Sequence, residues 1–322
     1  MVKENITLSP FFSPFICAAE AAKSIVMGGH FSAGMASWEM VTASADRPTI
    51  TPCADHISAF FAAPLAQADP QVARMAAHCP GSIIFFARDK ANPVLATHKA
   101  QGKRVVYANE EGIVCQEGRK SYRIAYAGIP LTRNGSIGFQ VENVMAATAT
   151  GWALGLDWAV IEKALAGFVS DASTAPGRFN VFDYKGATLI ADYGHNPDAM
   201  QALVQAVDGM KSIRRSVVIS GAGDRRDDDI RQQTEILGQA FDDAILYQDA
   251  CQRGREDGEV VALLREGLKH AKRTKRIDEI TGEFKAIDLA LERLQPGDLC
   301  LILIDQVEEA LAHITQRITE TA

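Results

Sequence analysis

Apolar and amphipathic segments alternate regularly through the second half of the chain. Apolar runs that predict strands lie at 188–193, 216–220, 244–248 and 299–305. Apolar residues at helical spacing occur at 197–210, 227–241, 258–270, 284–294 and 306–318. Strands that alternate with amphipathic helices predict βαβ units, and therefore an α/β fold with a parallel sheet covered on both faces.

The pattern is less regular before residue 175. Short β-like runs occur at 82–86, 104–107, 112–115 and 122–125, and helical spacing occurs at 141–154 and 158–168. The segment 172–177 (ASTAPG) is rich in small residues and proline, which is typical of a linker. We therefore predict a boundary near residue 175, with one domain over 66–174 and a second over 175–322.

Residues 1–65 differ from the rest in charge. Residues 1–60 hold eight charged side chains, against 65 in the remaining 262 residues. The stretch shows no sustained period of 2 or 3.6. Pro10, Pro14 and Glu20 interrupt its apolar run, which argues against a secretory signal. We leave residues 1–65 unassigned.

Composition narrows the class of protein. A chain of 322 residues suggests about two domains. The net charge of −7 disfavours a nucleic-acid partner, and no stretch approaches the roughly 18 apolar residues of a membrane span. Six scattered cysteines without a CxxC pair are typical of reduced thiols, so we expect a cytoplasmic protein. No metal site and no hydrolase triad are visible.

The first candidate site follows the strand at 188–193. Asn196 and Pro197 predict a helix start, with Asn capping free N–H groups and Pro in the first helical position. Ligands bind outside the carboxyl ends of parallel strands, so Asp192 and His195 would lie at that rim, beside a helix N-terminus that suits a phosphate or ribose. The alternative is that Asn196 is only a cap and His195 an ordinary surface residue.

Two further candidate sites follow the next strands. In GAGDRRDDD the third glycine of a dinucleotide fingerprint is replaced by Arg226, whereas Asp224 and Arg225 precede the helix as candidate ligand contacts. In DACQRGR, Arg253 and Arg255 are suited to bind a carboxylate or phosphate, or they are solvated loop residues; both interpretations stay open.

Together these motifs resemble the carboxyl-terminal part of the Mur ligase family, most closely the Mur-like half of the cyanophycin synthetases. The order of the Asn143 helix, PGRFNVFDYKG and LIADYGHNPDAM carries the resemblance, followed by SGAGDRRDDD and DACQRGR. It covers about residues 66–310. The resemblance implies an incomplete Mur ligase central domain over 66–174, then a Rossmann-like parallel-sheet C-terminal domain over 175–322.

The resemblance implies an ATP-dependent amide ligase that uses Mg²⁺. A carboxylate becomes an acyl phosphate, an amine attacks it, and phosphate leaves. In the cyanophycin synthetases, Arg is added to the β-carboxylate of poly-Asp. Carried over by motif, the nucleotide contacts would be Asn143 (adenine), Arg178, Asp192, His195 and Asn196. The substrate contacts would be Asp224, Arg225, Arg253 and Arg255. No catalytic residue is assigned.

The sequence departs from the family at the phosphate loop. Gly102-Lys103-Arg104 lacks the preceding glycines and the hydroxyl residue of a GxxGKT/S loop. One hypothesis is therefore a truncated ligase that needs its missing part. Another is an inactive nucleotide- or amino-acid-binding module, as a homo-oligomer or as a structural partner of a full-length synthetase. A third, an unrelated dinucleotide oxidoreductase, is disfavoured by the missing glycine.

Overall fold

The computed structural model describes residues 57–59, 76 and 81–321, and these divide into two compact units. The first contains the described residues up to Gly135 together with Gln140–Phe168, and the second contains Ser136–Phe139 and the chain from Val169 onward. From Val169 onward, the whole chain belongs to the second unit. The predicted boundary near residue 175 stays a prediction. Residues 1–65 lie outside the described residues, apart from 57–59.

The first unit is built on a mixed five-stranded sheet. Its strands, in spatial order, are β1 (Ile57–Ala59), β2 (Ser82–Ala87), β3 (Val105–Ala108), β4 (Gly112–Glu117) and β5 (Lys120–Ala125). The first three are parallel and the last two pairings are antiparallel. Its helices are α1 (Pro93–Ala100), α2 (Gly138–Ala153) and α3 (Trp158–Gly167). Apolar residues of α2 and α3 pack on β2–β5 to form one core.

The second unit is built on a six-stranded sheet. Its strands are β6 (Asn180–Tyr184), β7 (Ala187–Asp192), β8 (Arg215–Ile219), β9 (Asp243–Gln248), β10 (Arg276–Thr281) and β11 (Leu299–Leu303). Their spatial order is β10-β9-β8-β11-β7-β6, parallel throughout except for the β6–β7 pair. The helices are α4 (Pro197–Asp208), α5 (Asp227–Leu237), α6 (Glu259–Gly267), α7 (Glu283–Arg293) and α8 (Val307–Thr321).

Helices cover both faces of this second sheet. Buried residues of α4, α5 and α6 form one core cluster, and those of α7 and α8 form another. The central strands β8 and β11 are buried along most of their length, as expected for parallel strands between two helix layers. β11 lies between β8 and β7, and the helix that follows it, α8, packs on the other face of the sheet from α4 and α5. At such a change of face a crevice is expected at the carboxyl ends of the strands, and parallel α/β sheets bind ligands there.

The sequence pattern missed two strands of this sheet and one helix of the first unit. β6 pairs antiparallel with β7, so the predicted parallel sheet has one antiparallel strand at its edge. β10 forms the opposite edge, and its two isoleucines, Ile277 and Ile280, are three residues apart among charged neighbours, so the alternation that predicts a strand is broken. α1 begins at Pro93 after the Asn92 cap but is only eight residues long. Within the described residues, no helix is long and apolar enough to cross a membrane.

Candidate functional site

The candidate site lies at the carboxyl ends of the parallel strands of the second unit. We define this carboxyl edge by residues 192–196, 220–226, 249–255, 282–283 and 304–306. Seven of the predicted site residues lie there, and Arg178, which precedes β6, contacts Tyr193 at its rim. Its central loop, after β11, contributes residues that sequence analysis did not identify.

The loop after β7 is held by the backbone and by the start of α4. The Asn196 side chain accepts a hydrogen bond from the Ala199 N–H at 2.9 Å, which confirms its predicted role as helix cap. Asp192 Oδ2 accepts one from the Phe179 N–H at 2.8 Å. Burial raises the pKa of the Asp192 carboxyl to about 6 despite this bond and the nearby Arg178. Asp192 therefore anchors the β6 start as well as bordering the edge.

Arg178 and His195 both contact one aromatic ring, that of Tyr193. The Arg178 guanidinium lies 5.8 Å from the centre of the Tyr193 ring, and the His195 ring lies 4.1 Å from it. A cation over an aromatic face is attracted by its quadrupole. Tyr193 thus sets two of the predicted nucleotide contacts close together. No prediction singled out Tyr193, although it directly follows a strand within the quoted motif.

Asp305 is the second residue of the loop after β11, and it links three of the predicted site residues. Its Oδ1 atom lies 3.3 Å from His195 Nε2 and 3.0 Å from an amino nitrogen of Arg253. The other Arg253 amino nitrogen lies 3.5 Å from Asp224 Oδ1. The structure therefore brings His195, Arg253 and Asp224 into one polar network. The prediction placed Asp305 inside the strand at 299–305, whereas β11 ends at Leu303, so Asp305 was not among the residues expected after that strand.

Two further carboxylates support Asp305. Asp249 shares a hydrogen bond with it, and burial raises the pKa of Asp249, whereas the His195 contact lowers that of Asp305. Buried Glu283 accepts hydrogen bonds from the N–H groups of Asp305 and Gln306 at 2.8 and 3.1 Å. Burial raises the pKa of Glu283. Glu283 was missed because β10, the strand before it, was not predicted.

Arg255 has a different environment from Arg253. Its guanidinium donates to the carbonyl oxygens of Gly223 and Arg225 at 2.7 and 2.8 Å and pairs with Asp227 and Glu259. It ties the loop after β8 to the loop after β9. The Arg225 side chain is exposed at the same loop. The roles predicted for Arg225 and Arg255 in substrate binding stay predictions.

Asn143 belongs to the first unit. It lies on α2, and its amide donates to the Gln140 side chain at 3.0 Å. Beside it, burial raises the pKa of Glu142 to about 7, and Arg88 lies 3.8 Å from its carboxylate. Its predicted contact with adenine stays a prediction. Within the part of the chain that the structure describes, no group of three His, Cys, Asp or Glu side chains is placed to hold a metal ion. The predicted use of Mg²⁺ stays a prediction.

Comparison with known families accounts for this arrangement. Residues 177–303 match the family described as Mur ligase, glutamate ligase domain. These residues are therefore similar to a Mur ligase C-terminal domain. Residues 177–303 include Arg178, which contacts Tyr193 in the loop after β7, and the loops after β7, β8, β9 and β10, whereas Asp305 falls just beyond them. The resemblance read from the motifs is thereby confirmed.

The wider similarity extends beyond the Mur ligase C-terminal domain. The chain is 34% identical over 248 residues to a cyanophycin synthetase of Geminocystis herdmanii, covering 76% of this chain and 28% of that protein. It is 29% identical over 165 residues to a UDP-N-acetylmuramoyl-L-alanyl-D-glutamate–2,6-diaminopimelate ligase of Alkaliphilus metalliredigens, covering 51% and 32%. The chain thus spans less than a third of the length of either relative.

Solved structures share the fold. Escherichia coli FolC, in complex with DHPP and ADP, matches with a TM-score of 0.52 at 18% identity, over 77% of this chain and 56% of that one. An Acinetobacter baumannii UDP-N-acetylmuramoylalanyl-D-glutamyl-2,6-diaminopimelate–D-alanyl-D-alanyl ligase matches with a TM-score of 0.51 at 16% identity, over 81% and 51%. These matches confirm the α/β architecture, with its Rossmann-like parallel sheet, predicted from the sequence.

Proposed function

We propose that this chain serves an ATP-dependent carbon–nitrogen ligase of the cyanophycin synthetase type, with its carboxyl edge at the nucleotide and the incoming amino acid. The observation that carries the proposal is the linked set His195, Asp305, Arg253 and Asp224 at the sheet crevice. It lies where parallel sheets bind ligands. The similarity to cyanophycin synthetases supports the reaction class.

The edge divides into two sides. Arg178 and His195 flank the Tyr193 ring next to the start of α4, where positive charge and free N–H groups suit phosphate. Arg253 and Asp224, with exposed Arg225 beside them, form the opposite side. They offer both charges to the ammonium and carboxylate of an amino acid. We assign nucleotide to the first side and amino acid to the second.

The chemistry of such a ligase needs positioning and charge neutralisation. ATP supplies the phosphoryl group that turns a carboxylate into an acyl phosphate. The basic side chains of this edge lie beside the phosphates, and catalysis of phosphoryl transfer depends largely on such placement of charge. Poly-Asp as acceptor, arginine as incoming amino acid and Mg²⁺ as metal belong to the same proposal.

Nucleotide binding tests the first side directly. We expect ATP binding, measured by isothermal titration calorimetry, to weaken about tenfold in Arg178→Ala, because a charged hydrogen-bond donor is lost. The matched control is Arg119→Ala, which removes an exposed arginine from the turn between β4 and β5. Equal ATP affinity in the two variants would contradict the nucleotide assignment.

A second candidate function is a binding module without turnover. The lack of a GxxGKT/S sequence favours it, because no lysine of that kind is present to neutralise the γ-phosphate. Phosphate release from ATP, measured with poly-Asp and arginine together and with each omitted, separates the two. Release that requires both supports ligation, whereas ATP binding without release supports the module.

A further inference from the structure

Asp305 occupies the central position of the crevice. β11 lies between β8 and β7, so the residue that follows it faces the loops of both neighbours. His195 comes from the loop after β7, and Arg253 comes from the loop after β9. A side chain here can join loops that are 110 and 52 residues away in sequence.

One oxygen of Asp305 holds two cationic side chains. His195 Nε2 and an Arg253 amino nitrogen lie 3.3 and 3.0 Å from Oδ1. The side chains of His195 and Asp305 are only 14% and 17% exposed, so water competes little for this contact. Charge-assisted hydrogen bonds in such surroundings are strong and directional.

The same contact fixes the orientation of the His195 ring. Its Nδ1 atom faces the carbonyl oxygen of Tyr193, and its Nε2 atom faces the Asp305 carboxylate. The ring is therefore oriented by two oxygen atoms from different loops.

Asp305 is itself held from two directions. Glu283, 2% exposed, accepts from its N–H at 2.8 Å, and so secures the backbone. Asp249 shares a hydrogen bond with its carboxyl group. The charged or titratable groups that face Asp305 are thus His195, Arg253, Asp249, Glu283 and Tyr247. The contacts with His195 and Arg253 lower the pKa of the Asp305 carboxyl, whereas burial raises that of Asp249.

We propose that Asp305 is a positioning residue, which sets the orientation of the His195 ring and of the Arg253 guanidinium before a ligand arrives. This orientation depends on the structure alone. The use of His195 at the nucleotide and of Arg253 at the incoming amino acid rests on the proposed function. The two parts are therefore tested by separate measurements.

The orientation is read from the imidazole ¹⁵N signals of the full chain, with His195 assigned through His195→Gln. Asp305→Ala and the same-sized Asp305→Asn should each shift the His195 Nε2 signal, because its carboxylate partner is lost, while Glu308→Ala, an exposed acid in the first turn of α8, should leave the signals unchanged. Unchanged signals in folded Asp305→Asn would overturn the proposal.

Nucleotide affinity separates positioning from simple charge. Removing a negative charge near a bound anion strengthens its binding, as we expect for Glu308→Ala with ATP. A positioning role predicts the opposite sign: Asp305→Ala weakens ATP binding about tenfold, and Asp305→Glu recovers less than Asp305→Asn, since its carboxylate is displaced by one methylene. ATP binding that strengthens in Asp305→Ala would overturn the proposal for the ligand-bound site. A wild-type chain that binds no ATP would refute the proposed function and leave the ¹⁵N result to decide the role of Asp305.

Discussion

The two edges of the second sheet use the same residue types in different ways. At the amino ends of the strands, which we call the amino edge (residues 212–215, 242–243, 273–275 and 298), arginines pair with aspartates near in space. Arg273 binds both oxygens of Asp242 at 2.9 and 3.0 Å, and Asp242 also accepts from the Arg215 N–H at 2.8 Å. At the carboxyl edge, Asp305 instead joins side chains from two different loops.

The difference separates arginines that hold the fold from arginines available to a ligand. The bidentate Arg273–Asp242 pair and the contact of Asp242 with the Arg215 N–H link the starts of β8, β9 and β10 at the amino edge. Arg253 contacts the side chains of Asp305, Asp224 and Tyr193, and it is partly exposed. Arg255, on the same loop, behaves like the amino-edge arginines, because two carbonyl oxygens occupy its donors.

The largest expected effect is at the amino edge. Asp242→Ala removes the partner of Arg273 and leaves the Arg215 N–H without its acceptor, so we expect a loss of about 2 kcal/mol in the free energy of unfolding. Urea denaturation measures it. Asp228→Ala, which removes an almost fully exposed carboxylate, is the control and should change stability by less than about 0.5 kcal/mol. Equal effects would remove the distinction between an aspartate with backbone and bidentate contacts and an exposed aspartate in a surface ion pair.

The second prediction compares two arginines of one loop. Arg255→Ala should lower the free energy of unfolding by about 1–2 kcal/mol, since two backbone carbonyl contacts and two ion pairs are lost. Arg253→Ala should lower it by less than about 0.5 kcal/mol. Thermal unfolding of both variants gives the comparison. The assignment of Arg255 to the fold would be wrong if Arg253→Ala were the more destabilising change.

The third prediction concerns pH. The pKa of about 6 for Asp192 lies above the ordinary carboxyl value, so the folded chain binds more protons than the unfolded chain between roughly pH 4 and 6. The Asp192 contribution to stability is therefore fully present below about pH 4 and is lost as the pH rises through 6. Asp192→Asn should flatten this dependence and stabilise the chain at pH 7 by about 1 kcal/mol.

Chemical denaturation at pH 4.5 and 7 measures this effect. Asp198→Asn, an exposed carboxylate in the first turn of α4, is the control and should leave the pH dependence as it is in the wild type. A pH profile of Asp192→Asn that overlays the wild type would show that another group causes the dependence.

The smallest expected effect is on thiol reactivity at the carboxyl edge. Cys251 is exposed, whereas burial raises the pKa of Cys115 and Cys300 to about 12. A thiol reagent should therefore label Cys251 before the two buried cysteines, Cys115 and Cys300, as followed by peptide mass spectrometry. If a ligand occupies the carboxyl edge, saturating ATP with arginine should slow labelling of Cys251 about twofold and leave the others unchanged. Equal labelling of Cys251 and Cys300 in the folded chain would contradict the exposure.

The parts of the site that depend on short stretches of sequence could be predicted. These parts are the Asn196 cap and the βα loops with Asp224 and Arg253, because helix caps and strand ends depend on neighbouring residues in the sequence. β10 was not predicted because its charged residues interrupt the apolar pattern of a strand. β6 was not predicted because its apolar run lies in the motif PGRFNVFDYKG, whose first residues belong to the predicted linker. Glu283 was lost with β10.

The sequence by itself determined the class of the fold, the positions of most helices and strands of the second unit, and the motifs of a Mur ligase C-terminal domain. Only the tertiary structure decided that β11 lies between β8 and β7, which places Asp305 beside His195 and Arg253. The physical reason is that strand order depends on which helices bury which face of the sheet. That burial depends on contacts across the whole unit, so the strand order cannot be inferred from any short segment of the sequence.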